Sequence, residues 1–280
     1  VSTVRTTVPA IRATKVAAGA EPLVMVTAYD EPGARLVDEA GVDLLLVGDS
    51  VGNNVLGFDD TLSVTVEMMC HHTAAVARAK PKAMIVGDLP WMSYHVSTEQ
   101  AVLNAAALIR AGAGSVKLEG GTKRVGVIEA ILDAEIPVMG HLGLTPQSIH
   151  AMGGHRVQGR SSEAADQLLA AGLALQEAGC FAVVIEGVPD ALGAALTGEL
   201  SIPTIGIGAG PGTDGQVLVF HDLLGLGSAK PPRFVRKYAD VGDAITEAIG
   251  KFAADVRSGA FPSAAESYEA SDELRGHLDD

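Results

Sequence analysis

Ionisable side chains stand where short apolar runs end. Asp49 and Ser50 follow "DLLLVG", Asp88 follows "AMIVG", and Lys117 and Glu119 close "SVKLE". His141 closes "PVMGH", and Glu186 closes "FAVVIE". An apolar run that ends on a carboxylate poses a physical problem. An ionised group among apolar neighbours needs a counter-charge or hydrogen bonds. Asp49, Asp88 and Glu119, on three successive runs, would repel one another if bare. A hard divalent cation removes that repulsion, and oxygen ligands suit Mg²⁺. Each acid alone has a structural explanation, because an Asp at a strand end commonly caps the next helix. Four acids ending four of five successive runs point instead to a shared site.

Lys117 and Glu119 are two residues apart in an extended segment, so they share a face. If Glu119 faces a metal, Lys117 lies on the same side and needs an anion. That anion is either Asp88 or Glu119, or the carboxylate of a substrate. Glu186 sits in apolar surroundings, which disfavour its charged form and suit it to proton abstraction. Its alternatives are a salt bridge or metal ligation. Other signals are weaker. "GIGAGPGTDG" (206–215) looks like a dinucleotide loop but fails the GxGxxG test from both starts, at Pro211 and at Thr213. It is a phosphate loop or a tight turn. His71 and His72 are adjacent on a helix-like segment and point different ways. "GHLGLTPQS" and "GGHRVQGR" form a polar segment without helical periodicity, fit for a substrate loop, an assembly contact or a connector.

One unit recurs and must carry these residues. An apolar run of strand length ends in a polar or glycine-rich turn, and a helix-like segment follows. The runs are 23–29, 43–48, 83–87, 115–119, 137–141, 181–186, 203–208 and 217–220. Their continuous apolar character fits parallel strands buried on both faces. Pro32 and Gly41 bracket one helix, and Ser97 with Gln100 opens another that Gly112 closes. "SSEAADQLLAAGLALQEAG" is a long helix ending at Gly179, Thr145-Pro146 is an N-cap and first position, and 241–259 is a closing helix. Eight such units predict an α/β protein of the (β/α)8 TIM-barrel class, with an open doubly wound sheet as the alternative. In a barrel, the chemistry lies at the carboxyl ends of the strands, where the ionisable residues stand.

The chain has 280 residues, 48% of them hydrophobic. That suits one barrel domain over 1–280, with an N-terminal extension of about 1–22 and a charged C-terminal tail of about 262–280. Against 20 Lys and Arg stand 34 Asp and Glu, a formal charge of −14. This excludes nucleic acid and anionic membranes as expected partners. No apolar run has the length of a membrane span, and the first residues lack a signal-peptide core. The two cysteines, Cys70 and Cys180, form no CxxC, so neither zinc nor a disulfide framework is expected. These features fit a cytoplasmic protein.

The ordered blocks "TAYD" (27–30), "VGDSVG" (47–52), "HTAAVAR" (72–78), "DLPWMSY" (88–94), "VKLEGG" (116–121), "GHLGLTPQS" (140–148), "GGHRVQGR" (153–160) and "IGIGAGPGTDGQVLV" (205–219) closely resemble the ketopantoate hydroxymethyltransferase family. They cover most of residues 23 to 260. The resemblance implies a (β/α)8 barrel assembled as a homodecamer. It implies transfer of a one-carbon unit from 5,10-methylenetetrahydrofolate to 3-methyl-2-oxobutanoate, giving 2-dehydropantoate, the first step of the pantothenate branch, with Mg²⁺ required. Matched by position, Asp49, Asp88 and Glu119 fall on the metal site, some of them through water. Asp49, Ser50, Asp88 and Lys117 fall on the oxo-acid site, and Glu186 on the proton acceptor. His141 is a further candidate, placed to hydrogen-bond the new hydroxymethyl group. Two other readings compete: a Mg²⁺-dependent carbon–carbon lyase or mutase of the isocitrate lyase and phosphoenolpyruvate mutase type, and a non-catalytic oxo-acid or nucleotide-binding barrel.

Overall fold

Apolar runs separated by helices become strands covered on both faces, and here eight of them close on themselves. The computed structural model describes residues 6–227 and 231–279. The strands are β1 (Leu23–Thr27), β2 (Leu44–Val47), β3 (Met84–Asp88), β4 (Ser115–Lys117), β5 (Val138–Gly143), β6 (Ala182–Glu186), β7 (Thr204–Ile207) and β8 (Gly215–Leu218). Each pairs in parallel with the next, and β8 pairs with β1, so the barrel is closed and the open-sheet alternative is excluded.

The helices are α1 (Val8–Arg12), α2 (Glu31–Glu39), α3 (Val66–Arg78), α4 (Thr98–Ala111), α5 (Val125–Asp133), α6 (Ile149–Met152), α7 (Ser162–Glu177), α8 (Asp190–Glu199), α9 (Phe220–Leu224), α10 (Val241–Ser258) and α11 (Asp272–Asp279), and those between the strands, such as α3, α4, α5 and α7, cover the barrel. Local chemistry sets their ends. Asp30 caps α2 through the Gly33 N–H, and Pro32 sits in its first turn. Ser97 caps α4 by accepting from the Gln100 N–H, and Gly112 ends it in the left-handed region at φ 115°. Ser161 caps α7 in the same way. Pro146 opens a single 3-10 turn, for which the Thr145 side chain provides no cap.

Strand alternation divides the core in two. Outward residues such as Leu45, Val47, Ile85, Val116, Val183 and Ile185 pack with the helices. Inward residues such as Met25, Leu44, Leu46, Met84, Val86, Met139, Val184, Ile205 and Val217 fill the barrel, and Ile11 of α1 joins this inner cluster. Lys15, just after α1, reaches the fully buried Asp214 at 2.6 Å and also donates to the Thr197 carbonyl.

The eighth strand lies two residues earlier than its apolar run predicts. Gly215 pairs with Leu23 and with Ile205, and a Cβ there would meet the Leu23 carbonyl at 2.5 Å. A glycine that would weaken an ordinary strand is required by this close approach. Phe220, assigned to the strand by its hydrophobicity, instead opens α9, its N–H donating to Thr27 Oγ1. "GIGAGPGTDG" spans the end of β7, a helix-free connection over 208–214 and the first residue of β8. Its Thr213 and Asp214 are buried.

Candidate active site

The inward rows of the strands change character at their carboxyl ends. In β3 the row is Met84, Val86, Asp88; in β6 it is Ala182, Val184, Glu186. In β4 Ser115 gives way to Lys117, and in β5 Met139 gives way to His141. Apolar residues thus fill the barrel, and the next inward position on each of four adjacent strands carries an ionisable group. Asp49 follows β2 by one turn, and Glu119 follows β4. All of these, with Ser50, line one cavity of about 1060 Å³.

The register sets Asp88 opposite Lys117, and Lys117 Nζ lies 2.7 Å from Asp88 Oδ1. Beyond that ion pair the oxygen has no further partner among the described residues, and Asp88 Oδ2 accepts from the Asp49 N–H. Asp49 does not cap the turn that follows it. Its Oδ2 accepts from Gln147 Nε2 at 2.9 Å. Glu119 Oε2 accepts from the Gln147 N–H at 3.0 Å, while Glu119 Oε1 lies 3.4 Å from His141 Nδ1. On its other side, His141 Nε2 is 3.2 Å from Glu186 Oε2, off-line for a hydrogen bond. The expectation of apolar surroundings for Glu186 holds for its strand but not for its head group. The carboxylate faces the His141 ring and the cavity, and the side chain is 15% exposed. Ser50 Oγ is 2.8 Å from Tyr29 Oη.

Electrostatics distinguishes the acids. Burial, then the neighbouring Asp88 and Glu119, push the Asp49 carboxyl well above the usual carboxylate range. Burial also raises Asp88, with Glu119 adding to it and Lys117 opposing. Burial alone would raise Glu119 too, but His141, Lys117 and the Gln147 N–H outweigh it and hold the group low. Burial and Lys117 depress His141, yet Glu119 and Glu186 together hold it up at about 9. Lys117 is raised, because Asp88, Glu119 and Asp49 outweigh its burial. Tyr29 is pushed up to about 12, chiefly by burial.

The site therefore holds more buried negative charge than Lys117 and His141 offset. That donor set of carboxylate oxygens fits a divalent cation with oxygen preference. Among the described residues, no three His, Cys, Asp or Glu side chains are grouped to hold an ion unaided.

Every site residue expected from the sequence lines this cavity. Three that matter were not singled out: Tyr29, Tyr94 and Gln147. Tyr94 Oη donates to Gln147 Oε1 at 2.6 Å and accepts from the Glu119 N–H. The only signal for them was membership of the polar blocks "TAYD", "DLPWMSY" and "GHLGLTPQS". His72, by contrast, lies against the Tyr29 carbonyl, 2.7 Å from its Nδ1.

A closed parallel barrel with acids at the carboxyl ends of its strands defines a barrel enzyme. Solved structures of similar shape include 2,3-dimethylmalate lyase, with a TM-score of 0.60 at 16% identity, covering 98% of this chain and 94% of that one. Another is a putative phosphonomutase from Burkholderia cenocepacia J2315, with a TM-score of 0.58 at 19% identity, covering 85% and 93%. These likenesses bear on the fold. The sequence decides the family. The model of ketopantoate hydroxymethyltransferase matches residues 5–264. A 3-methyl-2-oxobutanoate hydroxymethyltransferase of Ignicoccus hospitalis is 59% identical over 86% of this chain and 92% of its own length. A second, from Bradyrhizobium diazoefficiens, is 52% identical over 97% and 92%. The chain belongs to the ketopantoate hydroxymethyltransferase family, and it is a one-carbon group transferase.

Proposed function

We propose that this enzyme moves a hydroxymethyl unit from 5,10-methylenetetrahydrofolate to 3-methyl-2-oxobutanoate, giving 2-dehydropantoate, the first step of the pantothenate branch. One observation carries the reading: buried acids and Lys117 meet beside the Glu186–His141 pair in one cavity. Asp49, Asp88 and Glu119 are the residues that would hold Mg²⁺ there, directly or through water. When bound, Mg²⁺ supplies a Lewis acid that stabilises negative charge on the keto oxygen of the oxo acid.

Lys117, held by its register partner Asp88, donates to the substrate carboxylate, and Ser50, held by Tyr29, gives a second donor. Leu144, Val184, Ile207 and Val217 line the cavity and give the branched apolar end of the substrate a dry wall. Glu186 takes the proton from C3, and the carbanion so formed attacks the methylene carbon after its bond to one folate nitrogen has broken. The bond to the second nitrogen then breaks, a water supplies the hydroxyl, and tetrahydrofolate leaves with its nitrogens reprotonated. His141, between Glu119 and Glu186, keeps Glu186 in position and faces the new hydroxyl. The folate enters from the mouth, lined by Arg156, Arg233 and Phe234. Such positioning is worth several kcal/mol, on the order of 7 or more, of the barrier.

The enzyme works as a homodecamer in the cytoplasm, where its unpaired Cys70 and Cys180 suit a reducing compartment. Among the described residues, no helix is long and apolar enough to cross a membrane. The test is consumption of 3-methyl-2-oxobutanoate with and without the folate and with and without Mg²⁺. Turnover that needs both is expected. Carbon–carbon cleavage without folate would transfer the chain to the lyase and mutase group.

A further inference from the structure

Gln147 lies in the 3-10 turn after β5, and its side chain is buried among the ends of three other strands. Its Nε2 donates to Asp49 Oδ2 and to the Leu89 carbonyl, both at 2.9 Å. Its backbone N–H donates to Glu119 Oε2 at 3.0 Å. Its Oε1 accepts from Tyr94 Oη at 2.6 Å, and Tyr94 Oη in turn accepts from the Glu119 N–H at 3.2 Å. These contacts fix the amide's orientation. The end facing Asp49 and Leu89 meets only acceptors, so it must be the NH₂. The opposite end meets a hydroxyl that has a proton to give.

One residue therefore ties down two of the three acids and connects the loops after β2, β3, β4 and β5. Its donors are neutral, so it steadies carboxylates without cancelling their charge. Its single bond to Asp49 goes to Oδ2 and spares Oδ1. A carboxylate anchored through one oxygen presents the other in a fixed direction, as hydrogen-bonded partners of metal ligands do.

We propose that Gln147, oriented by Tyr94, is the positioning residue that presents Asp49 and Glu119 to the divalent cation. The proposal rests on the metal assignment made above. It assigns the residue no contact with the reacting atoms.

The test uses the full chain with Mn²⁺ alone as the probe, read by paramagnetic resonance of the free ion without substrates. Gln147→Leu keeps bulk and removes the side-chain bonds, while its backbone N–H to Glu119 stays. Tyr94→Phe removes only the hydroxyl that orients the amide. Gln147→Leu should weaken Mn²⁺ binding about 10–100-fold, the usual cost of losing such a partner. Tyr94→Phe should weaken it less but measurably. In turnover, Gln147→Leu should raise the Mg²⁺ concentration giving half-maximal rate by a similar factor. Saturating Mg²⁺ should restore most of kcat, which a damaged fold would not allow. If Gln147→Leu does not fold by circular dichroism, Tyr94→Phe carries the test. Parental Mn²⁺ binding in the folded variants would overturn this proposal and leave the metal assignment intact. Absence of Mn²⁺ and Mg²⁺ binding in the parent would overturn both.

Discussion

Lys117 and Glu186 make opposite demands on a substrate, and their variants separate those demands. Lys117 is buried against Asp88 and is the cation nearest the proposed carboxylate. Lys117→Ala should raise KM for 3-methyl-2-oxobutanoate far more than it lowers kcat, at a cost of about 2–5 kcal/mol for an unpaired buried charge. A parental KM would remove Lys117 from the substrate's carboxylate. Glu186→Gln keeps size and removes the proton acceptor. It should bind the oxo acid nearly as well as the parent but lose exchange of the C3 proton with deuterium from solvent, even without folate. Turnover should fall roughly 10²–10⁴-fold. Exchange at the parental rate would end the assignment of the base. Both residues were legible in the sequence because an ionisable group at the end of an apolar run is costly unless used. Gln147 was not. A neutral amide in a polar loop carries no such penalty, and its burial depends on contacts from Asp49, Leu89 and Tyr94 that lie far away along the chain.

At the level of elements, the sequence reading located every strand, because burial on both faces leaves continuous apolar runs. It misplaced the last one, where hydrophobicity and backbone geometry disagree: Val219 and Phe220 are apolar, but only Gly215 fits beside the Leu23 carbonyl. The turn before that strand holds a structural ion pair that no motif marked. Asp214 is fully buried and accepts from Lys15 Nζ, the Val16 N–H and the Thr204 N–H, tying the N-terminal segment to β7 and β8. Asp214→Ala removes the counter-charge of Lys15, which is 18% exposed and keeps the Thr197 carbonyl, and leaves two backbone donors without their acceptor. The expected loss is about 3 kcal/mol, the lower end for breaking a buried pair, because Lys15 retains some water. Urea unfolding should show a lower midpoint. Residual activity per folded molecule should remain, since Asp214 does not line the catalytic cavity. An unchanged midpoint would show that the pair's desolvation cost cancels its attraction.

At the scale of the whole molecule, the barrel leaves an apolar face of α10 largely uncovered, with Phe261 edge-on against Phe252. Ile245, Ile249, Phe252 and Val256 of α10 are 46%, 62%, 54% and 48% exposed. Their spacing places them on one face, and no residue of α10 is buried within the chain. A row of large apolar side chains in water favours association, and the proposed homodecamer gives it a place to be covered. Light scattering should then report ten chains of 28.6 kDa. A double variant, Ile249→Glu with Phe252→Glu, puts two charges into that face. It should shift the mass to smaller assemblies, because desolvating an unpaired carboxylate at an interface outweighs the burial of the remaining apolar side chains. The barrel itself should keep its circular dichroism spectrum, since neither side chain belongs to its core. A monomeric parent would overturn the decamer. A decameric parent whose mass is unchanged in the double variant would keep the decamer and place its contacts elsewhere on the molecule.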